Sequence, residues 1–311
     1  MSAEQDKDYS GLIALALTYL GALLFAAILA PWVYHEIQSW HATNPNLLTE
    51  EIADNGFDDY FDRLRWLWVL ACLPWLIRRL HLKGWAANGF SWDTLDWMAC
   101  FKYCVVGIAL LITVAVVRLP TAEFSISKEL SEKWSGILIE AALGALLIAF
   151  LEEYVFRSLI WKAFSMWRPI IGGVVIASVF FAYTHYKMPD DLWDAYNGSI
   201  QFSAGLYVAW GTLIGFFYDA SLLDFLNLTL LGVWLSLLRI RSNNLARSLG
   251  LHAGIVFALL AFVEMVDVQT TPLRWLFGGP GLRDGLLTFL IFSGGVFIEV
   301  KSFRHSASSV Q

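Results

Sequence analysis

Three ionisable side chains stand together in the apolar stretch LIAFLEEYVFRSLIW, residues 147–161: Glu152, Glu153 and Arg157. A charged side chain inside a membrane-spanning helix costs about 2.5–3.5 kcal/mol on insertion scales, so its default interpretation is functional. On a helix, Glu153 and Arg157 are neighbours at positions i and i+4 and can form an ion pair. Glu152 is rotated away from that pair, which leaves its carboxylate available as a general base. The alternative is a purely structural Glu–Arg pair at an interfacial helix end.

Two histidines lie in later apolar segments. His185 ends the stretch FFAYTH, four residues after Phe181, and His252 lies in SLGLHAGIVF with Gly250 and Gly254 beside it. Small residues at that spacing indicate close helix packing. The less specific interpretations are an interfacial residue for His185 and a hydrogen bond across the bundle for His252.

A helical hairpin would bring the acid and the first histidine together. The midpoint between Glu152 and His185 falls on Arg168–Pro169, and proline at a helix start marks a turn. The two side chains would then lie at equal depth, and a third helix has only to supply His252. One glutamate and two histidines could activate a water molecule and stabilise an oxyanion. They could also bind zinc, because two histidines and a carboxylate form a known zinc ligand set.

The composition is that of a polytopic membrane protein. Apolar residues make up 58% of the 311 residues and charged residues only 15%, whereas soluble domains are about 45–50% apolar. Many of the 15 tryptophans lie near the ends of apolar runs, as in an interfacial aromatic belt. The sequence therefore predicts an all-α membrane helix bundle of about eight transmembrane helices, with the lipid bilayer as its surroundings.

The apolar runs predict spans near 11–34, 64–79, 97–117, 135–160, 169–186, 222–240, 246–265 and 283–300. A ninth run, 201–218, is rich in glycine and aromatic residues and is interpreted as a partial or interfacial helix. Basic residues concentrate in cytoplasmic loops. Eight spans with both termini inside place every basic cluster on the cytoplasmic side, including 239–247.

Several functional classes are excluded by sequence. The net charge of −6 and the lack of a basic tract argue against binding nucleic acid. The N-terminal MSAEQDKDYS lacks the basic region of a cleaved signal peptide, so the first run is read as an uncleaved span. The chain has no His-Glu-x-x-His zinc motif, no Gly-x-Gly-Asp pair of presenilin-like proteases and no Gly-x-Ser-Gly of rhomboids. It also has no phosphate-binding loop and no dinucleotide fingerprint.

Three motifs in order, each in an apolar segment, carry a resemblance: Glu-Glu-x-x-x-Arg at 152–157, Phe-x-x-x-His at 181–185, and the membrane histidine at 252. They resemble the CPBP family of intramembrane proteases, the CAAX-protease and bacteriocin-processing proteins also called the Abi family. The run LLGVWLSLLRIRSNNLARSLGLHAG before and around the last histidine is similar to the family as well. The resemblance covers about residues 135–265.

The resemblance implies an eight-span α-helical fold and hydrolysis of a peptide bond. Glu152 would activate water with help from His185, and His252 would help to hold the oxyanion. The supporting residues that it implies are Glu153, Arg157 and Phe181.

The need for a metal is left open by the resemblance. The family is often labelled a metalloprotease, whereas its eukaryotic prenyl-protein members resemble metal-independent glutamate proteases. Zinc would be held by Glu152, His185 and His252, and it would occupy the one candidate base. We therefore favour a site without a cofactor and keep zinc as the alternative.

One position departs from the family pattern. The last motif usually reads His-x-x-x-Asn or Asp, but position 256 is valine. A missing oxyanion donor can cost roughly 10²–10³ in rate. A backbone N–H near Gly254, or the side chain of Asn243 or Asn244, is the expected substitute. The long segment 187–221 between the second and third motifs is expected to cover or shape the site.

Taken together, the sequence predicts an intramembrane endopeptidase whose partner is a membrane-associated or lipidated peptide or protein. The alternatives are a weak or inactive protein of the same fold, acting in bacteriocin immunity or as a scaffold, and a proton-coupled transporter. Bacterial members imply a multi-pass location in a bacterial cytoplasmic membrane. Along the chain we predict helices without motifs over 1–134, the catalytic core over 135–265, and a final loop, helix and tail over 266–311.

Overall fold

A computed structural model describes residues 9–118, 124–126, 130–168, 171–196, 198–219, 221–268, 273–279 and 283–308. The predicted all-α class is confirmed, because helices account for nearly all regular structure in these ranges. The α-helices are α1 (Ser10–Thr43), α2 (Leu47–Ala53), α3 (Phe57–Arg79), α4 (Gly84–Ala87), α5 (Thr94–Arg118), α6 (Leu130–Glu152), α7 (Trp161–Trp167), α8 (Ala177–Tyr183), α9 (Asp190–Asp194), α10 (Phe202–Asp219), α11 (Leu222–Ser242), α12 (Ala246–Met265), α13 (Arg274–Phe277) and α14 (Leu286–Ser308).

Two segments and one small ribbon depart from α-helical geometry. The segments Glu153–Ile160 and Ile171–Ile176, here called π1 and π2, are π-helical. The ribbon pairs the three-residue strands β1 (Phe124–Ile126) and β2 (Val266–Val268) antiparallel. Because β1 follows α5 and β2 follows α12, the ribbon joins the chain ends of two packed helices.

Six described helices are long and apolar enough to cross a membrane. They are Ser10–Thr43, Thr94–Arg118, Trp134–Trp167, Leu222–Ser242, Ala246–Met265 and Leu286–Arg304. Each coincides with one of the predicted spans, although Leu286–Arg304 begins three residues after the predicted start at 283. The two remaining predicted spans, 64–79 and 169–186, fall on α3 and on the shorter apolar helix Gly172–Tyr183. The run 201–218 forms the continuous helix α10, which is also shorter than the six.

The chain divides into two compact units. The first contains residues 82–182 and 221–311, and the second contains residues 8–81 and 183–220. The predicted division by motif content remains a prediction, because it concerns sequence segments and not these units.

Helix α12 is the centre of the first unit. It packs against α5, α6 and α11, and α11 packs in turn against α14. A Cβ atom at Gly250 or Gly254 would meet the backbone of Cys100 or Cys104 on α5, and one at Gly107 would meet the backbone of α12. The close helix packing predicted from the glycines beside His252 is therefore confirmed.

The predicted helical hairpin is also present in the first unit. Helix α7 ends at Trp167, Arg168 is extended (φ −144°, ψ 99°), and π2 returns against α7. A Cβ at Gly172 or Gly173 would meet Phe164 or the side chains of Ser165 and Trp161, so the two arms are tightly packed. Pro169 lies outside the described residues.

The second unit is built on α1, which packs against α3 and α10. Gly205 of α10 approaches the backbone of Ala27 so closely that a Cβ would not fit. Aromatic rings fill the interior, with Trp193 stacked on Phe57 at 5.4 Å between ring centroids. The segment after His185 thus folds as part of this unit, and its effect on the catalytic site stays a prediction.

We expect Gly254→Ala to lower the unfolding temperature of the purified protein in detergent micelles. The added methyl group must push α5 away from α12, and overpacking of this kind costs about 1–3 kcal/mol. The control is Gly294→Ala on α14, where a Cβ meets nothing within 4 Å. That change should leave stability equal or higher, because alanine favours the helix over glycine. Equal unfolding temperatures for the two variants would contradict the packing argument.

Candidate active site

The two acids occupy the junction between α6 and π1. Glu152 is the last residue of α6, and Glu153 is the first residue of π1. Glu153 is fully buried, while the side chain of Glu152 retains 17% exposure. Short π-helical insertions within α-helices are rare and often occur at functional sites. The junction therefore separates a buried acid from one that is open to its surroundings.

Both acids approach one imidazole. The Nδ1 atom of His252 lies 3.0 Å from Oε1 of Glu153, and its Nε2 atom lies 3.6 Å from Oε2 of Glu152. A carboxylate can only accept a hydrogen bond, so a proton on Nδ1 completes the contact with Glu153. That contact fixes the ring orientation and directs Nε2 towards Glu152.

The predicted ion pair between Glu153 and Arg157 is present. Nε of Arg157 lies 3.5 Å from Oε1 of Glu153, and both side chains are almost completely buried. The guanidinium carbon of Arg157 also lies 4.2 Å from the centroid of the Phe181 ring, a cation–π contact. The buried anion of π1 is therefore paired with a buried cation of the same segment, as burial of charge requires.

Phe181 forms the floor of this group. It projects from α8, is buried, and packs edge-on to Phe156 at 5.0 Å between ring centroids. Its centroid lies 6.2 Å from that of His252 at an interplanar angle of 80°. Phe181 thus touches both the cation and the imidazole of the site.

A buried arginine supports π1. Arg239 on α11 begins the basic cluster 239–247, whose predicted cytoplasmic location remains a prediction. It is only 7% exposed, its Nε donates to the carbonyl of Arg157 at 2.7 Å, and its guanidinium carbon lies 4.2 Å from the centroid of the Trp161 ring. Arg239 stands at the end of an apolar run, where basic residues commonly flank a transmembrane helix on the cytoplasmic side. The sequence therefore gives no sign that its side chain is buried against π1.

His185 lies in the turn that follows α8 and belongs to the second unit. The helix ends two residues earlier, at Tyr183. The proposed part of His185 in assisting Glu152 therefore remains a prediction. The residues of the first unit that converge are Glu152, Glu153, Arg157, Phe181 and His252.

Asn243 and Asn244, two of the expected substitutes for the family amide at Val256, lie between α11 and α12. Asn244 caps α12, with its Oδ1 accepting from the N–H of Ala246 at 3.0 Å, and Asn243 ends α11 in the left-handed region at φ 55°. A helix rises about 1.5 Å per residue, so eight residues from Asn244 to His252 correspond to about 12 Å along the axis. The N–H of Gly254 lies inside α12, where the helix hydrogen bonds occupy it.

The described residues of the first unit bring together two of the three predicted zinc ligands. A catalytic zinc ion takes three protein ligands, and this unit offers Glu152 and Nε2 of His252, since Nδ1 faces Glu153. No three His, Cys, Asp or Glu side chains within the described ranges are grouped to hold a metal ion.

Comparison with known proteins gives one match. The model of a family described as Rce1-like type II CAAX prenyl endopeptidases matches residues 134–258, which is less than half of the chain. No curated protein and no solved structure matches the chain. The matched segment contains Glu152, Glu153, Arg157, Phe181 and His252. The resemblance inferred from the three motifs is therefore confirmed: residues 134–258 of this multi-pass membrane protein match a family model of CAAX-type intramembrane proteases.

Proposed function

We propose that the protein is an intramembrane endopeptidase that hydrolyses a peptide bond in a membrane-associated or lipidated peptide or protein. The observation that carries the proposal is the position of Glu152, whose Oε2 lies 3.6 Å from Nε2 of His252 inside the segment that matches the CAAX-protease family. At 3.6 Å the two atoms are almost in contact, so the acid and the imidazole can act on the same bound reactant.

Glu152 acts as the general base in this proposal. Its carboxylate removes a proton from water as the water oxygen bonds to the scissile carbonyl carbon, which forms a tetrahedral oxyanion. The carbon–nitrogen bond then breaks, and the proton held by Glu152 passes to the leaving amine. The partial exposure of Glu152 supports this role, because the base must reach both water and substrate.

His252 stabilises the oxyanion. When the ring carries a proton on both nitrogens, Nδ1 donates to Glu153 and Nε2 is a charged donor beside the reacting centre. Glu153 and Arg157 act on the substrate only through the histidine, so we regard them as positioning residues. His185 is proposed to assist Glu152, as the family motif implies.

A metal-free glutamate mechanism is favoured over a zinc mechanism. Zinc bound to Glu152 would occupy the only acid of the site that is not already buried against Arg157 and His252. With Glu152 bound to zinc, the residues that converge on His252 in the described part of the first unit would include no other carboxylate open to water.

The second candidate is a catalytically weak or inactive protein of the same fold, acting in bacteriocin immunity or as a scaffold. Val256 favours it, because the amide that the family places there is absent and no neighbour on α12 replaces it. We place the protein in a bacterial cytoplasmic membrane, on the strength of its resemblance to bacterial members of the family.

Glu152→Gln should abolish cleavage without unfolding the protein. Loss of the base should lower kcat by about 10²–10⁴ and change KM little. The assay uses the purified protein in liposomes with a prenylated peptide ending in Cys-a-a-X, and an unprenylated peptide of the same sequence reports the need for the lipid. Glu140→Gln is the matched control, because this acid is exposed on the same helix and about 18 Å away along its axis. Retention of full activity by Glu152→Gln would sink the protease assignment.

Glu153→Gln should behave differently from Glu152→Gln. Removing one partner of a buried ion pair leaves an uncompensated charge and costs about 3–5 kcal/mol, so the unfolding temperature should fall sharply. The double change Glu153→Gln with Arg157→Met should recover much of that loss, since no unpaired cation remains buried. A stability loss for Glu152→Gln as large as that for Glu153→Gln would contradict the division between a reactive and a structural acid.

Cleavage should survive exhaustive dialysis against a strong chelator. The proposed base is a carboxylate, so removing divalent cations should leave kcat within about twofold, a small effect beside the 10²-fold or larger effect of losing the base. The measurement compares initial rates before dialysis, after dialysis and after zinc is added back. Loss of activity that zinc restores would reverse the choice in favour of the metal-dependent alternative.

A further inference from the structure

A short segment outside the family match is bonded to the helices of the site. This segment, residues 82–92, lies in the first unit between α3 and α5, and we call it the strap. It contains the four-residue helix α4, which is followed by Asn88, Gly89 and Phe90. The strap precedes residue 134, where the match to the CAAX-protease family begins.

The strap is tied to π1, which begins with Glu153. The hydroxyl of Ser158 donates to the carbonyl of Asn88 at 2.8 Å, and the hydroxyl of Tyr154 donates to Oδ1 of Asn88 at 3.1 Å. Ser158 is completely buried and Asn88 nearly so. Hydrogen bonds between buried groups are costly to leave unmade, so this link is a fixed part of the packed structure.

The next residue ties the strap to the helix of the histidine. The carbonyl of Gly89 accepts from the N–H of Leu245 at 3.0 Å, and Leu245 is the residue directly before α12. Gly89 has φ 85°, a backbone conformation that favours glycine. A Cβ there would also lie 2.8 Å from Cγ of Leu245, so only glycine permits the close approach.

The side chain of Asn88 also stabilises the conformation of the strap that makes the contacts with π1 and α12. Its Nδ2 donates to the carbonyls of Gly84 at 2.8 Å and Leu82 at 3.2 Å. Phe90 adds an apolar contact, stacked on Phe150 of α6 at 5.5 Å between centroids. One amide thus joins the fold of the strap to the π-helical segment, while the adjacent carbonyl joins it to α12.

We propose that Asn88 is a positioning residue that sets the distance between the acids of the α6–π1 junction and His252. Asn88 and Gly89 are consecutive, and they bond to the two elements that must meet, π1 and the start of α12. A displacement of about 1 Å at an active site can cost on the order of 100-fold in rate. This chain therefore uses a segment outside the matched domain to hold the geometry of the matched domain. Only the kinetic part of the inference rests on the proposed function.

The test compares Ser158→Ala and Asn88→Ala with Ser178→Ala. Ser178 is an equally buried serine whose hydroxyl bonds to its own helix at the carbonyl of Val174, without contact to the strap. The full-length protein is labelled with ¹⁵N-histidine in detergent micelles, and the His252 signal is identified by its loss in His252→Gln. We expect the two strap variants to shift or broaden the His252 Nδ1 signal, and Ser178→Ala to leave it unchanged.

Kinetics add a second readout on the prenylated peptide. The strap variants should lower kcat by about tenfold to 100-fold while KM stays within about twofold, as expected for a misplaced site. Tyr154→Phe, which removes a single hydroxyl, is the milder variant if Asn88→Ala does not fold.

The two ideas fail in different ways. An unchanged His252 signal in folded Ser158→Ala and Tyr154→Phe overturns the positioning role, whatever the activity. A shifted signal in these variants, together with a wild-type protein that cleaves nothing, supports the positioning role and removes the protease proposal. An equal shift in Ser178→Ala would show a general packing effect and would also overturn the inference.

Discussion

The burial of one negative charge governs the arrangement of the first unit. Glu153 is completely buried in a largely apolar helix bundle. An isolated carboxylate there would be strongly destabilising. Arg157 supplies the opposite charge from the same helix, and His252 supplies a donor from α12. Because both must reach the same carboxylate oxygen, the start of π1 and the middle of α12 have one permitted register. The glycine contacts between α12 and α5 are compatible with that register and hold it.

This compensation explains why two adjacent acids are useful where one would seem enough. Glu153 is fully buried against Arg157 and Nδ1 of His252, so its carboxylate is not open to a substrate. Glu152 shares the other nitrogen of the same ring and keeps part of its surface open. In the proposed mechanism, Glu153 therefore orients the imidazole and Glu152 reacts. Arg239 extends the same logic, since its bond to the carbonyl of Arg157 steadies the segment that carries the buried pair.

The sequence predicted the features that depend on local spacing and missed those that depend on tertiary contacts. The Glu153–Arg157 pair follows from i, i+4 geometry, and the glycines beside His252 predict close helix packing. The burial of Arg239 could not be predicted, because a basic residue at the end of an apolar run has the same pattern whether it faces water or the bundle interior. The contacts of Asn88 could not be predicted either, because an asparagine in a short connection has no periodicity that indicates its partners. The sequence also predicts spans at 64–79 and 169–186, whereas the corresponding helices, α3 and Gly172–Tyr183, are not among the six described helices that are long and apolar enough to cross a membrane.

The valine at position 256 changes what the rest of the site must do. A neutral amide in that place would share the oxyanion with His252, whereas here the described part of the first unit offers the imidazole as the donor next to Glu152. A hydrogen bond from a charged donor is roughly twice as strong as one from a neutral donor, so a histidine protonated on both nitrogens can do much of the work of two weaker groups. The histidine can do so only if its ring is held in place, because a mobile imidazolium would not keep Nε2 directed at the reacting oxygen. In the proposed mechanism, the absence of the amide therefore makes catalysis depend on the orientation of His252, which Glu153 contacts directly and which the strap is proposed to support.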